Sequence, residues 1–241
     1  MSESFDTGWY GKLPASGDFV TRRLPASFIE SWDAWLNAMI SGSRERLGAA
    51  WRDAFLSAPA WRFVLAPGVI GLQGWAGLIV PSVDSVGRYF PLTVASELPA
   101  RSIDPVATLV RAHNWYAEIE PVVGVALSPD AEIGTFDAQL ANRRFPGALV
   151  ATLEETEDTI PPRAHGQRAL WIPLGPEFQG EAGLRGLAKP LAGPYSAWLA
   201  EESEIFGRSL MLCEKLPAVD QFCAMLNGEW RHAGAGERRS A

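Results

Sequence analysis

Three strand-like segments follow one another in the first half of the chain, and no helix-like segment separates them. They cover residues 61–65, 75–80 and 88–95, and the second is an almost uninterrupted apolar run. A parallel pair of strands needs a long crossover, usually a helix, so three consecutive strands favour a mixed or largely antiparallel sheet. Pro91 has no amide hydrogen to donate, so we expect the third strand to lie at a sheet edge or to contain a bulge.

Amphipathic helices bracket these strands. The first is predicted to begin at Pro25 or Ala26, because proline is tolerated in a first helical turn. Its apolar residues follow the i, i+4, i+7, i+8, i+11, i+12 spacing of one helical face. These residues are Phe28, Trp32, Trp35, Leu36, Met39 and Ile40. We expect residues 41–43 to interrupt or end this helix, and a short helix to follow over residues 49–57.

Further helices and strands are predicted in the rest of the chain. Asp104 and Pro105 are a favourable N-cap and first-turn pair, and His113 is expected on the buried face of the helix that they open. Residues 128–129 are expected to begin another helix, and the last helix is predicted over residues 217–226. Further strands are predicted over residues 169–174, 195–200 and 209–213.

These segments form no internal repeat, and no linker between them is long enough to separate two domains. The sequence therefore predicts a single α/β domain over residues 1–228. Residues 229–241 are polar, and we expect them to form a flexible C-terminal tail.

Composition narrows the classes of function. The 241 residues carry a net charge of −7 and no segregated basic patch, so a nucleic-acid partner is not expected. No apolar window approaches the length of a membrane span, and the N-terminus lacks the basic and then apolar order of a signal peptide. Cys213 and Cys223 are expected to be buried thiols in a reducing compartment. Together these features predict a cytoplasmic protein that does not insert into the membrane.

Ten tryptophans are an unusual number for this length. We expect most of them in the core, where each indole N–H needs an acceptor. A few could instead anchor a protein-binding surface, where tryptophan is over-represented.

Motifs that carry catalytic chemistry are missing from the sequence. It contains no phosphate-binding loop, dinucleotide fingerprint, zinc-protease helix or nucleophile elbow. The three histidines, His113, His165 and His232, have no spacing that predicts a metal site. We therefore expect no enzyme activity, no cofactor and no metal. The alternative is a small hydrolase or transferase that uses Asp18, Asp84 or a Cys–His pair in a cleft.

Two segments, residues 8–23 and 81–93, are dense in glycine, aromatic and charged residues. In the second, Asp84 and Arg88 are expected to pair across a turn at Gly87. One interpretation is turn chemistry alone, in which the aspartate caps the turn and the arginine ties the loop down. The other is a rigid surface loop presented to a partner, with Arg88 and Tyr89 as anchors.

The same two segments resemble the TagF (ImpM) family. The resemblance rests on GWYGKLPASGDF at residues 8–19 with Arg22 and Arg23, and on PSVDSVGRYFPLT at residues 81–93. It extends over nearly the whole chain, through WRF at residues 61–63 and SAWL at residues 196–199. The family often has a second tryptophan where this chain has leucine, at residue 199.

The resemblance implies a cytoplasmic accessory protein of the bacterial type VI secretion system. Proteins of this family are posttranslational repressors that are thought to bind and sequester a forkhead-associated scaffold protein, and their fold looks like a three-layer α/β/α sandwich. A structural component of the secretion machinery is a further alternative, and the oligomeric state stays open. On this basis the expected partner contacts form two loops. They are Gly11, Pro14, Gly17, Asp18, Arg22 and Arg23 in one loop, and Asp84, Arg88 and Tyr89 in the other.

Overall fold

Eight of the ten strands that the structure describes form one sheet. This computed structural model describes residues 3–99, 102–152, 169–174, 194–203 and 206–230. The strands are β1 (Ser4–Phe5), β2 (Thr7–Gly11), β3 (Val20–Arg22), β4 (Trp61–Leu65), β5 (Gly74–Val80), β6 (Leu92–Leu98), β7 (Phe145–Pro146), β8 (Ala169–Pro173), β9 (Tyr195–Ala200) and β10 (Ser209–Glu214).

The strand order of the large sheet is β3-β2-β6-β5-β4-β9-β10-β8. Every neighbouring pair in it is antiparallel, and β1 pairs separately with β7. The antiparallel interpretation of the consecutive strands is therefore confirmed. Strands from the two ends of the chain lie in one sheet, which agrees with a single α/β domain. The boundary at residue 228 stays a prediction, and most of the expected tail, residues 231–241, lies outside the described residues.

Six α-helices accompany the strands in the described part of the chain. They are α1 (Ala26–Leu47), α2 (Trp51–Ser57), α3 (Pro105–Arg111), α4 (His113–Ala126), α5 (Ile133–Ala141) and α6 (Val219–Asn227). None of the described helices is long and apolar enough to cross a membrane.

The predicted end of the first helix at residues 41–43 is wrong, because α1 continues to Leu47. Tertiary contacts explain why a Ser-Gly-Ser sequence stays helical there. The Ser43 hydroxyl donates to the Ile40 carbonyl and accepts from the Trp51 indole N–H at 2.8 Å. Gly42 lies so close to Val219 that an added Cβ would meet it at 2.7 Å. A glycine at this position lets α6 approach α1.

Side chains of the sheet alternate between two hydrophobic clusters. In β4, for example, Phe63 and Leu65 belong to one cluster and Val64 belongs to the other. The cluster of Val64 takes its helical residues from α3, α4 and α5, whereas the cluster of Phe63 takes them from α1, α2 and α6. Helices therefore cover the sheet in two groups. The full three-layer sandwich stays a prediction.

Tryptophan dominates this interior as expected, because eight of the ten are buried. Seven of these eight indole N–H groups donate to a described acceptor, such as Thr93 Oγ1 for Trp32 at 2.9 Å and the Pro217 carbonyl for Trp35 at 2.8 Å. Burying an aromatic side chain removes roughly 150–250 Å² of surface from water, which stabilises the fold by roughly 4–6 kcal/mol before entropic costs.

Four local expectations need correction. The third strand begins at Leu92 and lies inside the sheet between β2 and β5, because residues up to Pro91 leave the sheet as a loop. His113 is exposed, since Ala112 breaks the helix between α3 and α4 with ψ near 7° and shifts the apolar face. The helix expected at residues 128–129 begins only at Ile133. Cys213 is buried, but Cys223 is only partly so.

Candidate functional site

The two motif segments, far apart in the sequence, fold against each other. The Ser85 amide donates to the Ser16 carbonyl at 3.0 Å, and the Ser82 hydroxyl donates to the Lys12 carbonyl at 2.7 Å. The Arg88 guanidinium donates to the Gly17 carbonyl. What the sequence presents as two loops is therefore one structural unit.

A buried carboxylate holds this unit together. Asp84 Oδ2 accepts from the Lys12 ammonium at 2.5 Å and from Arg88 Nε at 2.7 Å. Its other oxygen accepts from the backbone amides of Arg88 at 2.8 Å and Val86 at 3.1 Å. Asp84 and Lys12 are only 3% and 4% exposed. Because a buried charge is tolerated only with partners, the Lys12 ammonium depends on Asp84, whereas Asp84 also has Arg88 and two backbone amides as donors.

The protonation state of Asp84 follows from the same contacts. Burial alone raises the pKa of a carboxyl, but hydrogen bonds from Lys12, Arg88 and Val86 outweigh it and lower the pKa of Asp84 far below its usual value. These bonds all favour the charged form. Asp84 is thus ionised at neutral pH with its lone pairs occupied, which suits an anchor rather than a general base.

The loop that carries Asp84 is a tight turn built by local sequence. The Asp84 amide donates to the Arg88 carbonyl at 3.0 Å, and the Gly87 amide donates to the Asp84 carbonyl at 3.0 Å. Gly87 has a φ of +85°, a conformation that glycine adopts without steric cost. The predicted Asp84–Arg88 pair is confirmed. The turn leaves Val86 68% exposed and the Arg88 side chain 55% exposed.

Aromatic rings support the other half of the unit. The Phe19 ring stacks on Tyr10 at 5.7 Å and meets Phe90 edge-on at 4.7 Å. The Lys12 ammonium lies 4.8 Å from the centre of the Phe19 ring. Phe19 is nevertheless 47% exposed. A large aromatic ring fixed in position and open to solvent is typical of a contact surface.

Glycine and proline residues of the first motif shape this loop. Gly11 has a φ of +142°, and a Cβ there would lie 2.3 Å from the Pro91 carbonyl oxygen. Gly17 supplies the carbonyl that Arg88 binds. Pro14, which lies between Gly11 and Gly17 in the sequence, is partly buried. Asp18 is exposed. These predicted site residues lie in or beside the unit that contains Asp84.

Arg22 and Arg23 have their described contacts elsewhere. The Arg23 guanidinium bonds Asp137 of α5 at 2.8 Å and the Thr7 carbonyl at 2.8 Å, while Arg22 lies 6.0 Å from the Trp9 ring centre. Burial raises the pKa of Asp137, but bonds from Trp9 and Arg23 outweigh it and lower the pKa. Both arginines were expected to form one contact loop with Gly17, but the contacts described for them lie elsewhere.

Tyr89 faces α2 and brings further arginines close to the motif segments. Its ring meets Trp51 edge-on at 5.7 Å and Phe55 at 5.9 Å. The Arg52 guanidinium lies 6.0 Å from the Tyr89 ring centre, and the Arg44 guanidinium lies 4.2 Å from the Trp51 ring centre. Sequence reasoning missed both arginines, because nothing in α1 and α2 alone indicates that α2 packs against residue 89.

A second charged cluster was also missed, although Arg62 lies in the WRF motif. This arginine is 4% exposed and binds both carboxylate oxygens of Glu120, at 2.6 and 2.8 Å. It also binds Glu201 at 2.5 Å, which in turn accepts from Arg208 at 2.9 Å. Burial lowers the pKa of Arg62, but the bonds and charges of Glu120 and Glu201 outweigh it and raise the pKa. The cluster joins β4, α4 and the segment after β9.

The cysteine and histidine side chains considered for catalysis lie on different elements, with Cys213 on β10, Cys223 on α6 and His113 on α4. Burial raises the pKa of both thiols, Cys213 and Cys223, which is the opposite of what an activated nucleophile needs. No set of three metal-ligating side chains is gathered within the described ranges. His113 is exposed, and His165 and His232 lie outside those ranges.

Comparison with known proteins agrees with the motifs. Residues 8–143 match the family described as TagF N-terminal domain, type VI secretion system-associated. The structure is similar to the crystal structure of PA0076 from Pseudomonas aeruginosa PAO1, with a TM-score of 0.72 and 34% sequence identity over 98% of this chain and 97% of that chain. No curated protein matches the chain. The chain belongs to the TagF family of type VI secretion system-associated proteins.

Proposed function

We propose that this TagF-family protein is a cytoplasmic, non-enzymatic repressor of type VI secretion that acts posttranslationally. It binds a forkhead-associated scaffold protein of the secretion system and keeps that scaffold from the apparatus. Family membership supports the link to secretion. The buried, fully bonded Asp84 supports a binding role, because it stiffens a surface and offers no free base.

The observation that carries this proposal is the rigid exposed surface built on Asp84. We call it the motif surface and define it as Gly17, Asp18, Phe19, Val86 and Arg88. Arg88 is bonded to both Asp84 and Gly17, yet about half of its side chain remains open to solvent. An interface that is ordered before binding loses less conformational entropy when the partner docks.

Arginine and aromatic anchors of this kind are typical of interface hot spots. Stable sequestration needs about 1,200–2,000 Å² of total buried surface, so the motif surface would form the centre of a larger contact.

Binding of the purified scaffold to wild-type protein and to Arg88→Ala tests this proposal. We expect the variant to bind at least about tenfold more weakly, because truncating a hot-spot residue costs about 2 kcal/mol or more and about 1.4 kcal/mol is a factor of ten. Arg144→Ala is the matched control, because it removes an exposed arginine that pairs with Asp6 away from the motif segments. Circular dichroism verifies that both variants fold.

Two results would overturn the proposal in different ways. Normal binding by a folded Arg88→Ala variant would remove the motif surface from the interface. No binding by the wild-type protein, with a scaffold that is otherwise competent, would remove the partner. In cells, deletion should increase secretion, whereas a structural component of the machinery would give a loss of secretion.

A further inference from the structure

Next to the motif surface, two arginines lie on aromatic rings, and neither has a carboxylate partner among the described residues. We propose that Arg44, Arg52 and Arg88, together with Trp51 and Tyr89, form a docking ridge for an acidic segment of the protein partner. We call this set the basic ridge. The proposal rests on the proposed function, and it names the chemistry of the partner segment that this face recognises.

Side-chain contacts connect four of these residues, and Arg88 joins them through the chain. The Arg44 guanidinium lies 4.2 Å from the Trp51 ring centre, and the Trp51 and Tyr89 rings meet at 5.7 Å. The Arg52 guanidinium lies 6.0 Å from the Tyr89 ring centre, and Arg88 directly precedes Tyr89 in the turn. The rings are themselves fixed, since the Trp51 indole donates to Ser43 at 2.8 Å.

Charge favours this face for an acidic partner. The whole chain has a net charge of −7, so an acidic partner needs a local excess of positive charge to dock. Arg44 and Arg52 are exposed, and within the described ranges neither forms an ion pair. Their sequence neighbours Glu45 and Asp53 do not pair with them, because adjacent residues of a helix point in different directions.

By contrast, several other exposed arginines are already neutralised. Arg46 pairs with Asp220, Arg23 pairs with Asp137 and Arg144 pairs with Asp6. Arg44 and Arg52, which form no ion pair among the described residues, thus both lie on the basic ridge. A guanidinium stacked on a ring keeps the N–H groups of its edge available for anions.

The arrangement suits several carboxylates rather than one phosphate group. Strong phosphate recognition usually brings donors together on a single group. Here each of Arg44 and Arg52 lies on a ring of its own, and Arg88 is bonded to Asp84 and Gly17. Separately held cations match a peptide that presents Asp or Glu side chains at successive positions. Exposed Leu56, at 47%, offers an apolar neighbour for the residues between them.

Fluorescence anisotropy with a labelled peptide of alternating Glu and Leu tests the ridge. Peptides of alternating Lys and Leu, and of alternating phosphoserine and Leu, are the two comparison probes. We expect the Glu peptide to bind, and the affinity to fall as salt is raised. Each Arg→Gln change at residues 44 and 52 should weaken binding by about two- to fivefold, and the double variant by about tenfold.

The control is Arg46→Gln combined with Arg144→Gln, which changes the net charge equally but leaves the ridge intact. Equal loss of peptide binding in the control would overturn the proposal, as would absence of binding by the wild-type protein or tighter binding of the phosphoserine peptide. Scaffold binding, measured in parallel, separates the two proposals. A scaffold that binds wild type and the ridge double variant alike refutes the ridge only, whereas peptide binding without scaffold binding refutes the proposed partner only.

Discussion

Replacing Asp84 by Asn should remove a large part of the free energy of unfolding of this protein. The carboxylate accepts four hydrogen bonds, and one of them comes from Lys12, whose side chain is only 6% exposed. Without the anion, the Lys12 ammonium is left buried and uncompensated. Removing one partner of a buried pair costs about 3–5 kcal/mol, out of a total stability of about 5–15 kcal/mol for a typical domain.

The partner substitution should cost less, and this asymmetry is the sharper test. In Lys12→Met, Asp84 keeps Arg88 and the two backbone amides as donors, so its charge stays compensated. We expect a loss of about 1.5–3 kcal/mol, mostly from one charged hydrogen bond. In the double variant Lys12→Met/Asp84→Asn no buried ammonium remains. It should therefore be more stable than Asp84→Asn alone, although both carry the same change at residue 84.

Urea unfolding, followed by circular dichroism and tryptophan fluorescence, measures these free energies. Asp53→Asn is the matched control, because Asp53 is exposed and should change stability by no more than about 0.5 kcal/mol. A folded Asp84→Asn variant within about 1 kcal/mol of wild type would refute the reasoning, and so would a double variant no more stable than Asp84→Asn. If Asp84→Asn alone does not fold, the double variant still decides the point.

Two further predictions follow from the same site. The folded pKa of Asp84 is lowered by its partners despite its burial, so its contribution to stability is complete above the unfolded pKa of about 3.9 and is lost as pH falls below it. In an acid titration, the free energy of unfolding should therefore fall less steeply below about pH 4 in Lys12→Met/Asp84→Asn than in wild type. Equal slopes of this free energy against pH in the two proteins would exclude Asp84 as the cause. Gly11→Ala should lower the free energy of unfolding by more than about 1 kcal/mol, because the φ of +142° and the Pro91 carbonyl at 2.3 Å leave no space for a Cβ; Gly134→Ala, with nothing within 4 Å, is the control for this thermal or urea measurement.

Local sequence was sufficient to predict the elements whose structure depends on residues nearby in the chain. The strands over residues 61–65 and 195–200 agree with their prediction, because apolar β-type runs bounded by turn residues have little local alternative. The turn around Gly87 was predictable for the same reason, since Asp84 and Arg88 lie within one turn. The helix break expected at residues 41–43 failed, because contacts with Trp51 and Val219 outweighed the local preference of serine and glycine.

The contact between the two motifs could not be predicted from the sequence, because the residues that form it lie far apart along the chain. Lys12 and Asp84 are 72 positions apart, and no periodicity indicates that a lysine after Gly11 is buried against that carboxylate. The same holds for Arg62 with Glu120, 58 positions apart. Their charges look like solvated surface in the sequence, because only the packed sheet removes water from them. Local sequence thus determined strands and turns. Burial and charge pairing were decided by the tertiary structure, because the antiparallel strands bring distant side chains together.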